Sequence, residues 1–205
     1  MNRPRLYLAS ASPRRYELLR QIGLAPRRVL AEVAEHSVAG ESACAHVARL
    51  AQAKARAAAR RLEPETEFGM ILAADTAVVI DGEPLGKPRG PQHALEMLQR
   101  LRGRDHEVLT GVFLLRTDCD SCHADVESTR VRFKDLGDAT LSAYVEGGEP
   151  RDKAGAYGIQ GRGALLVERI EGSWPNVVGL PVERLPEWSR RIGIDLVTMI
   201  DWRGP

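Results

Sequence analysis

The chain has 205 residues, 43% of them hydrophobic and 28% charged, with 29 lysine and arginine side chains against 28 aspartates and glutamates. A chain of this length buries about 70% of its unfolded surface, so its core needs no disulfide or metal. The composition excludes a disordered, collagen-like or coiled-coil protein. The formal net charge of +1 argues against a specific nucleic-acid binder, which carries a strong basic excess.

The cysteines and the apolar runs indicate a cellular location. Cys44, Cys119 and Cys122 are too few, and odd in number, for a secreted disulfide scaffold, which predicts a reducing cytoplasm. The longest apolar run, residues 70–80, is interrupted by Asp75 and is shorter than the ~20 residues of a membrane span. We therefore expect a cytoplasmic protein with no membrane partner.

Strand and helix patterns alternate along the chain. They predict strands at residues 6–9, 70–80, 107–116 and 128–135, and a glycine-rich strand pair at 156–170. They predict helices at residues 16–22, 42–62, 91–101 and 138–145, then a loop at 173–179 and a last helix interrupted by Pro186. No linker or repeat separates these elements, so the sequence predicts one α/β domain over residues 1–205.

Three motifs match known sites only in part. Residues 119–123 read Cys-Asp-Ser-Cys-His, but haem attachment needs an export signal and zinc needs a fourth ligand at a matching spacing. Residues 82–87 are similar to a P-loop, but Pro88 stands where a serine or threonine binds magnesium. The glycines at 158–163 have the wrong spacing for a dinucleotide-binding loop. A solvated hairpin tip and strand bulges are the simpler interpretations.

Two charged residues lie in apolar patterns. Lys54 shares a helical stripe with Val47, Leu50 and Ala58, so its ammonium needs an anionic partner unless it extends past the short alanines to solvent. Asp75 interrupts an apolar strand, where a carboxylate costs several kcal/mol unless it is paired, hydrogen-bonded or bound to metal. A structural ion pair with an arginine is the alternative for Asp75.

Further cations lie on short connections. Residues 10–15, Ser-Ala-Ser-Pro-Arg-Arg, join a predicted strand to a predicted helix, where outward-pointing amides favour an anion. A capping serine beside two solvated arginines is the alternative. Lys87 lies between Gly86 and Pro88. Cations from separate segments together with a buried carboxylate indicate polyphosphate chemistry, because cations neutralise phosphates and a carboxylate orients water or holds a divalent ion.

Five blocks of sequence resemble the Maf family of nucleoside triphosphate pyrophosphatases. They are Ser10 to Arg15, Ala74 to Thr76, Gly86 to Pro88, His106 to Gly111 and Asp152 to Gly161. The resemblance runs from about Leu6 to Pro186 and implies a mixed, strongly twisted sheet with flanking helices and a deep nucleotide cleft, similar to inosine triphosphate pyrophosphatase. It also implies a homodimer, and hydrolysis between the α and β phosphates with a divalent metal such as Mg or Mn.

The resemblance also implies roles for particular residues. Asp75 matches the general base, and Glu35 together with Asp75 matches the metal site, although Ala34 stands where the family usually has aspartate. The substrate-binding positions of the family correspond to Ser10, Arg14, Arg15, Lys54, Thr76, Lys87 and Gln160.

Three of these positions, Arg14, Thr76 and Gln160, match the branch of the family that acts on dTTP and UTP. The branch similar to a 7-methyl-GTP pyrophosphatase has other residues there and is the first alternative. A nucleotide-sensing regulator of cell division that performs no catalysis is the second. The sequence therefore predicts an enzyme that hydrolyses pyrimidine triphosphates of the nucleotide pool. A measurement of pyrophosphate release distinguishes such an enzyme from a nucleotide sensor.

Overall fold

The structure is a computed structural model that describes residues 4–30, 32–63 and 67–203. The two limits of the predicted domain, residues 1 and 205, lie outside the described residues. The described strands are β1 (Arg5–Leu8), β2 (Arg27–Arg28), β3 (Gly69–Ile80), β4 (Glu83–Leu85), β5 (Asp105–Arg116), β6 (Cys122–Phe133) and β7 (Val167–Glu171).

These strands form a mixed sheet in the order β2-β1-β3-β5-β6-β7, with β4 paired to β3. β1 is parallel to both β2 and β3, whereas β4 is antiparallel to β3 and β7 is antiparallel to β6. Parallel neighbours require crossover connections, which the helices supply. The predicted α/β class with a mixed sheet and flanking helices is confirmed.

The described α-helices are α1 (Pro13–Gln21), α2 (Ala43–Ala59), α3 (Pro91–Leu101), α4 (Asp138–Glu146), α5 (Trp174–Val178) and α6 (Leu185–Arg190). Ser42 caps α2 by accepting a hydrogen bond from the amide of Ala45 at 3.2 Å, which satisfies a donor of the first turn. No helix among the described residues has the length and apolar character needed to cross a membrane.

The chain divides into two compact units. The first contains the described residues within 1–75, 110–127 and 179–205, and the second contains residues 76–109 and 128–178. The backbone passes from one unit to the other within β3, β5 and β6.

In the first unit, α2 packs its alanine-rich face on the sheet. Ala51, Ala55 and Ala58 are fully buried in one cluster with Phe113. Gly111 on β5 permits this close approach, because a Cβ at that position would lie 2.5 Å from the backbone of Val47. The short side chains let the backbone of α2 lie close to the sheet.

The second unit has its own core. α3 and α4 pack together over apolar side chains from β3, β5 and β6. Phe133, Tyr157 and His106 meet edge to face, with ring centroids 4.7 to 5.4 Å apart. Such edge contacts are the favoured geometry of aromatic rings.

The glycine-rich stretch 156–170 differs from the expected strand pair. It contains a 3-10 turn at Gly161–Leu166, after another at Ala154–Ala156, and only β7 is extended. Ala156 and Gly161 have φ of 59° and 71°, a left-handed conformation outside the β region. The prediction of two strands was therefore wrong.

Helix positions also differ from the sequence expectations. The loop expected at residues 173–179 contains α5, and α2 ends at Ala59 rather than at residue 62. α1 begins at Pro13 rather than at residue 16, because Ser12 accepts a hydrogen bond from the amide of Arg15 and caps the helix. Pro186 lies in the first turn of α6 instead of interrupting a helix. Proline is tolerated there because the amide that it lacks would have no partner within the helix.

Candidate active site

The loop between β1 and α1 is built around two serines. Ser12 caps the helix, and Ser10 Oγ accepts hydrogen bonds from the amide of Ser12 at 3.2 Å and from Arg15 Nη1 at 3.1 Å. A hydroxyl that accepts two hydrogen bonds retains its own proton as a donor. Ser10 can therefore donate to an anionic oxygen at the start of α1, where the helix dipole also favours negative charge.

The two arginines in the first turn of α1 differ in environment. Arg15 is 9% exposed, and its Nε donates to the carbonyl oxygen of Gly179 at 2.7 Å. Burial lowers the pKa of Arg15 from its ordinary value, while the charge of Asp75 opposes that shift. Arg14 is half-buried on the same turn. Arg15 thus ties the loop to the segment at Gly179, and its predicted phosphate contact stays a prediction.

Lys54 lies between two carboxylates. Its Nζ is 2.6 Å from Asp75 Oδ1 on β3 and 2.6 Å from Glu35 Oε1. The side chains of Lys54 and Asp75 are 16% and 14% exposed, whereas that of Glu35 is 50% exposed. The apolar stripe of α2 thus places the ammonium at the carboxylate that interrupts β3. The ion-pair partner that the structure shows for Asp75 is a lysine, which Asp75 shares with Glu35.

Two arginines bind backbone carbonyl groups before and after Glu35. One lies on α2 and the other in the turn that follows α2. Arg61 Nη1 donates to the carbonyl oxygen of Leu30 at 2.5 Å, and Arg49 Nη2 donates to that of His36 at 3.0 Å. Arg49 also binds both oxygens of Glu41, at 2.6 and 2.7 Å. The salt bridge to Arg49 lowers the pKa of Glu41 to about 2.

A cavity of about 430 Å³ opens beside these groups. It is lined by Ala9, Ser10, Ala11, Leu30, Glu32, Val33, Glu35, Lys54 and Arg61. Sequence reasoning identified Ser10, Glu35 and Lys54 but missed Glu32 and Arg61. Arg61 follows Lys54 by seven residues, about two helical turns, and this spacing was the available signal. Nothing in the sequence distinguished Glu32 from other exposed glutamates.

The remaining predicted site residues belong to the second unit. Thr76 follows Asp75 on β3 and is half-buried, Lys87 is exposed just after β4, and Gln160 is half-buried directly before the 3-10 turn at Gly161–Leu166. The first unit therefore contains Ser10, Arg14, Arg15, Glu35, Lys54 and Asp75, and within it Ser10 contacts Arg15 and Lys54 contacts both carboxylates. The second carries Thr76, Lys87 and Gln160.

The Cys-x-x-Cys-His motif lies at the β5–β6 hairpin. Cys119 is in the connection and Cys122 begins β6, and both thiols are free and exposed. The ring of His123 lies 6.1 Å from that of Trp188. Within the described ranges, no three His, Cys, Asp or Glu side chains are grouped so as to hold a metal ion.

The chain is similar to many curated protein sequences. A family model described as "Maf-like protein" matches residues 5–192. A protein of Symbiobacterium thermophilum named "dTTP/UTP pyrophosphatase" is 49% identical over 193 residues, covering 94% of this chain and 96% of that protein. A protein of Anaeromyxobacter sp. with the same name is 50% identical, and the alignment covers 92% of this chain and 90% of that protein.

A third relative and one solved structure extend the comparison. The "dTTP/UTP pyrophosphatase" of Methylococcus capsulatus is 46% identical, covering 98% of this chain and 97% of that protein. The chain described as "The structure of the Staphylococcus aureus Ham1 protein" aligns over 95% of this chain and 96% of that one, with 15% identity and a TM-score of 0.48.

Proposed function

Because this chain belongs to the Maf family, we propose that it hydrolyses dTTP and UTP to the nucleoside monophosphate and pyrophosphate. Relatives at 46 to 50% identity carry that activity in their names. The observation that carries the proposal is the Lys54 ammonium held 2.6 Å from both Asp75 and Glu35 beside an open cavity. This arrangement supplies a cation for phosphate and a carboxylate for water.

The reaction places each of these groups in a role. Water attacks the α phosphorus, the bond from that phosphorus to the bridging oxygen breaks, and pyrophosphate leaves. Asp75, oriented through its Oδ1 contact with Lys54, accepts the proton of the attacking water. Lys54, Arg14 and the hydroxyl of Ser10 neutralise and orient the phosphate oxygens.

The carboxylates suit a divalent cation. Asp75 and Glu35 already share one positive nitrogen, and hard oxygen donors of this kind bind Mg or Mn. Mg is usually held by one or two carboxylates with phosphate oxygens and water completing the shell, which agrees with a site of only two such side chains. We propose that Glu35 and Asp75 hold the ion, which when bound offsets the negative charge of the triphosphate.

Substrate selection is proposed for residues of the second unit. Gln160 offers a donor and an acceptor on one amide, which matches the O4 acceptor and N3–H donor of thymine and uracil. Thr76 and Lys87 are proposed to contact the sugar and phosphates. The family model spans residues 5–192 and thus segments of both units, which supports one catalytic domain over 1–205.

The state of the protein in the cell is also proposed. The family resemblance supports a homodimer, the three free cysteines support a cytoplasmic location, and the net charge of +1 supports the absence of a specific nucleic-acid partner. Sedimentation equilibrium at micromolar concentration tests the dimer, and a monomer mass would contradict it.

A substrate panel tests the activity. The purified chain is incubated with Mg or Mn and with dTTP, UTP or 7-methyl-GTP, and pyrophosphate is measured. We expect kcat/KM for dTTP and UTP to exceed that for 7-methyl-GTP by about 10²-fold or more. A preference for 7-methyl-GTP would assign the other branch, and nucleotide binding without pyrophosphate release would indicate a sensor.

A further inference from the structure

The loop that carries Gln160 is closed on itself. We refer to residues 158–163 as the Gln160 loop. A Cβ at Gly163 would lie 2.0 Å from the carbonyl oxygen of Gly158, so the two ends of the loop touch through their backbones. Gly161, next to Gln160, has φ of 71°. The loop therefore needs glycine at these positions, and it needs partners for its backbone amides.

One carboxylate supplies the partners of two of those amides. Glu149 Oε1 accepts hydrogen bonds from the amide of Gly163 at 3.0 Å and from the hydroxyl of Tyr144 at 3.1 Å. Glu149 Oε2 accepts from the amide of Arg162 at 3.1 Å. The hydroxyl of Tyr144 in turn accepts from the amide of Gly158 at 3.2 Å. Glu149 thus binds one end of the loop directly and the other end through Tyr144.

The backbone of Glu149 and the start of the loop are also fixed. Lys153 Nζ donates to the carbonyl oxygen of Glu149 at 2.7 Å, and the Lys153 side chain packs against Gly158, where a Cβ would lie 2.7 Å from its Cε. Tyr157, the residue before the loop, is buried with its hydroxyl 2.8 Å from His106 Nε2. Gln160 itself is half-buried.

The chemistry requires a carboxylate at this position. An ionised glutamate only accepts hydrogen bonds, and here three donors converge on its two oxygens. A glutamine would direct its NH₂ group at one of these donors in either orientation of the amide. Two donors that face each other cost about the free energy of a lost hydrogen bond. The loop would therefore loosen, while the surrounding core would stay folded.

We propose that Glu149 is a positioning residue for recognition of the nucleobase, acting through the Gln160 loop. This inference rests on the proposed function, in which Gln160 contacts the pyrimidine. Cytosine presents a donor at N4 and an acceptor at N3, the reverse of thymine. A loop backbone held in one place limits the distances and angles at which the Gln160 amide meets a base, whereas a loosened loop lets the amide adjust to either pyrimidine.

The test compares Glu149→Gln with Glu146→Gln, a matched change of an exposed glutamate on α4. The kinetic measurement is the ratio of kcat/KM for dTTP to that for dCTP, two substrates with the same sugar, phosphates and ring size. We expect Glu149→Gln to lower this ratio by about tenfold, with KM for dTTP rising more than kcat falls. Glu146→Gln should leave the ratio unchanged.

A structural measurement accompanies the kinetics. Hydrogen exchange at the amides of Arg162 and Gly163 should accelerate in Glu149→Gln and not in Glu146→Gln. Tyr144→Phe removes the hydroxyl that binds Gly158 and should lower the dTTP to dCTP ratio in the same direction, which keeps the proposal testable if Glu149→Gln does not fold.

The outcomes separate the two proposals. If the unmutated protein releases no pyrophosphate from dTTP, the proposed function is wrong, and the exchange of Arg162 and Gly163 still reports whether Glu149 holds the loop. If the unmutated protein is active and Glu149→Gln or Tyr144→Phe keeps its ratio, Glu149 has no role in selection and the positioning proposal fails alone.

Discussion

The two regions assigned to the substrate are held in different ways. In the first unit, Lys54 is held by opposite charges, 2.6 Å from each of two carboxylates that remain partly exposed. In the second unit, the Gln160 loop is held by neutral backbone amides and a hydroxyl that all donate to Glu149. Charged partners can be exchanged for a phosphate or a metal ion, whereas backbone hydrogen bonds fix a shape. The first region is therefore suited to chemistry and the second to selection.

The largest effect is expected at Asp75. Asp75→Asn removes the carboxylate that accepts the proton of water and should lower kcat for every nucleotide by about 10²- to 10⁴-fold, with little change in the ratio between nucleotides. The rate of pyrophosphate release from dTTP and UTP measures this change in kcat. Asp120→Asn, at an exposed position of the β5–β6 connection, is the matched control. Turnover of Asp75→Asn near that of the control would exclude Asp75 as the base.

Lys54→Met should have the next largest effect. The apolar stripe of α2 alone would favour methionine, but two carboxylates would then face each other without the ammonium. We expect kcat/KM to fall by about 10²-fold and the free energy of unfolding to fall by about 1 to 3 kcal/mol. Urea unfolding and kinetics measure both effects, with Arg60→Met at the exposed C-cap of the same helix as control. A stable, active Lys54→Met protein would mean that Lys54 only covers apolar surface.

Gln160→Glu should change selection more than turnover. A carboxylate accepts the N1–H and N2–H donors of 7-methylguanine and attracts its positive charge, whereas it repels the O4 acceptor of a pyrimidine. The ratio of kcat/KM for dTTP to that for 7-methyl-GTP should fall by about tenfold or more. Gln52→Glu, exposed on α2, serves as control. Equal loss of activity on both nucleotides would place Gln160 in the chemistry instead.

The smallest effect concerns stability and pH in the second unit. Burial lowers the pKa of His106 to about 4, whereas the unfolded chain has a histidine pKa near 6.5. Between these values the unfolded state binds a proton that the folded state does not, so the free energy of unfolding falls as the pH drops from 6.5 towards 4. His106→Gln should make the decrease between pH 7 and pH 5 smaller by about 1 to 2 kcal/mol.

The control for this measurement is His36→Gln, at an exposed position. Urea unfolding at the two pH values should give the same decrease for His36→Gln as for the unmutated protein. The same decrease in His106→Gln would show that His106 titrates normally and that the second unit is less tightly packed than its contacts indicate.

Sequence reasoning succeeded where a residue contradicted its local pattern. Lys54 in an alanine-rich stripe and Asp75 in an apolar strand are each costly alone, and the structure pairs them at 2.6 Å. The sequence could not reveal Glu149, because its three partners, Tyr144, Arg162 and Gly163, depend on a loop whose backbone is left-handed at Gly161. The strand pattern assigned to that stretch was wrong for the same reason.

The central claim is that the first unit performs hydrolysis between the α and β phosphates. Incubating the purified protein with dTTP and Mg, and separating the products by ion-exchange chromatography, tests it most directly. We predict dTMP and pyrophosphate in equal amounts, with both products lost in Asp75→Asn. Formation of dTDP and orthophosphate, or an undiminished yield of dTMP from the Asp75→Asn protein, would contradict the account.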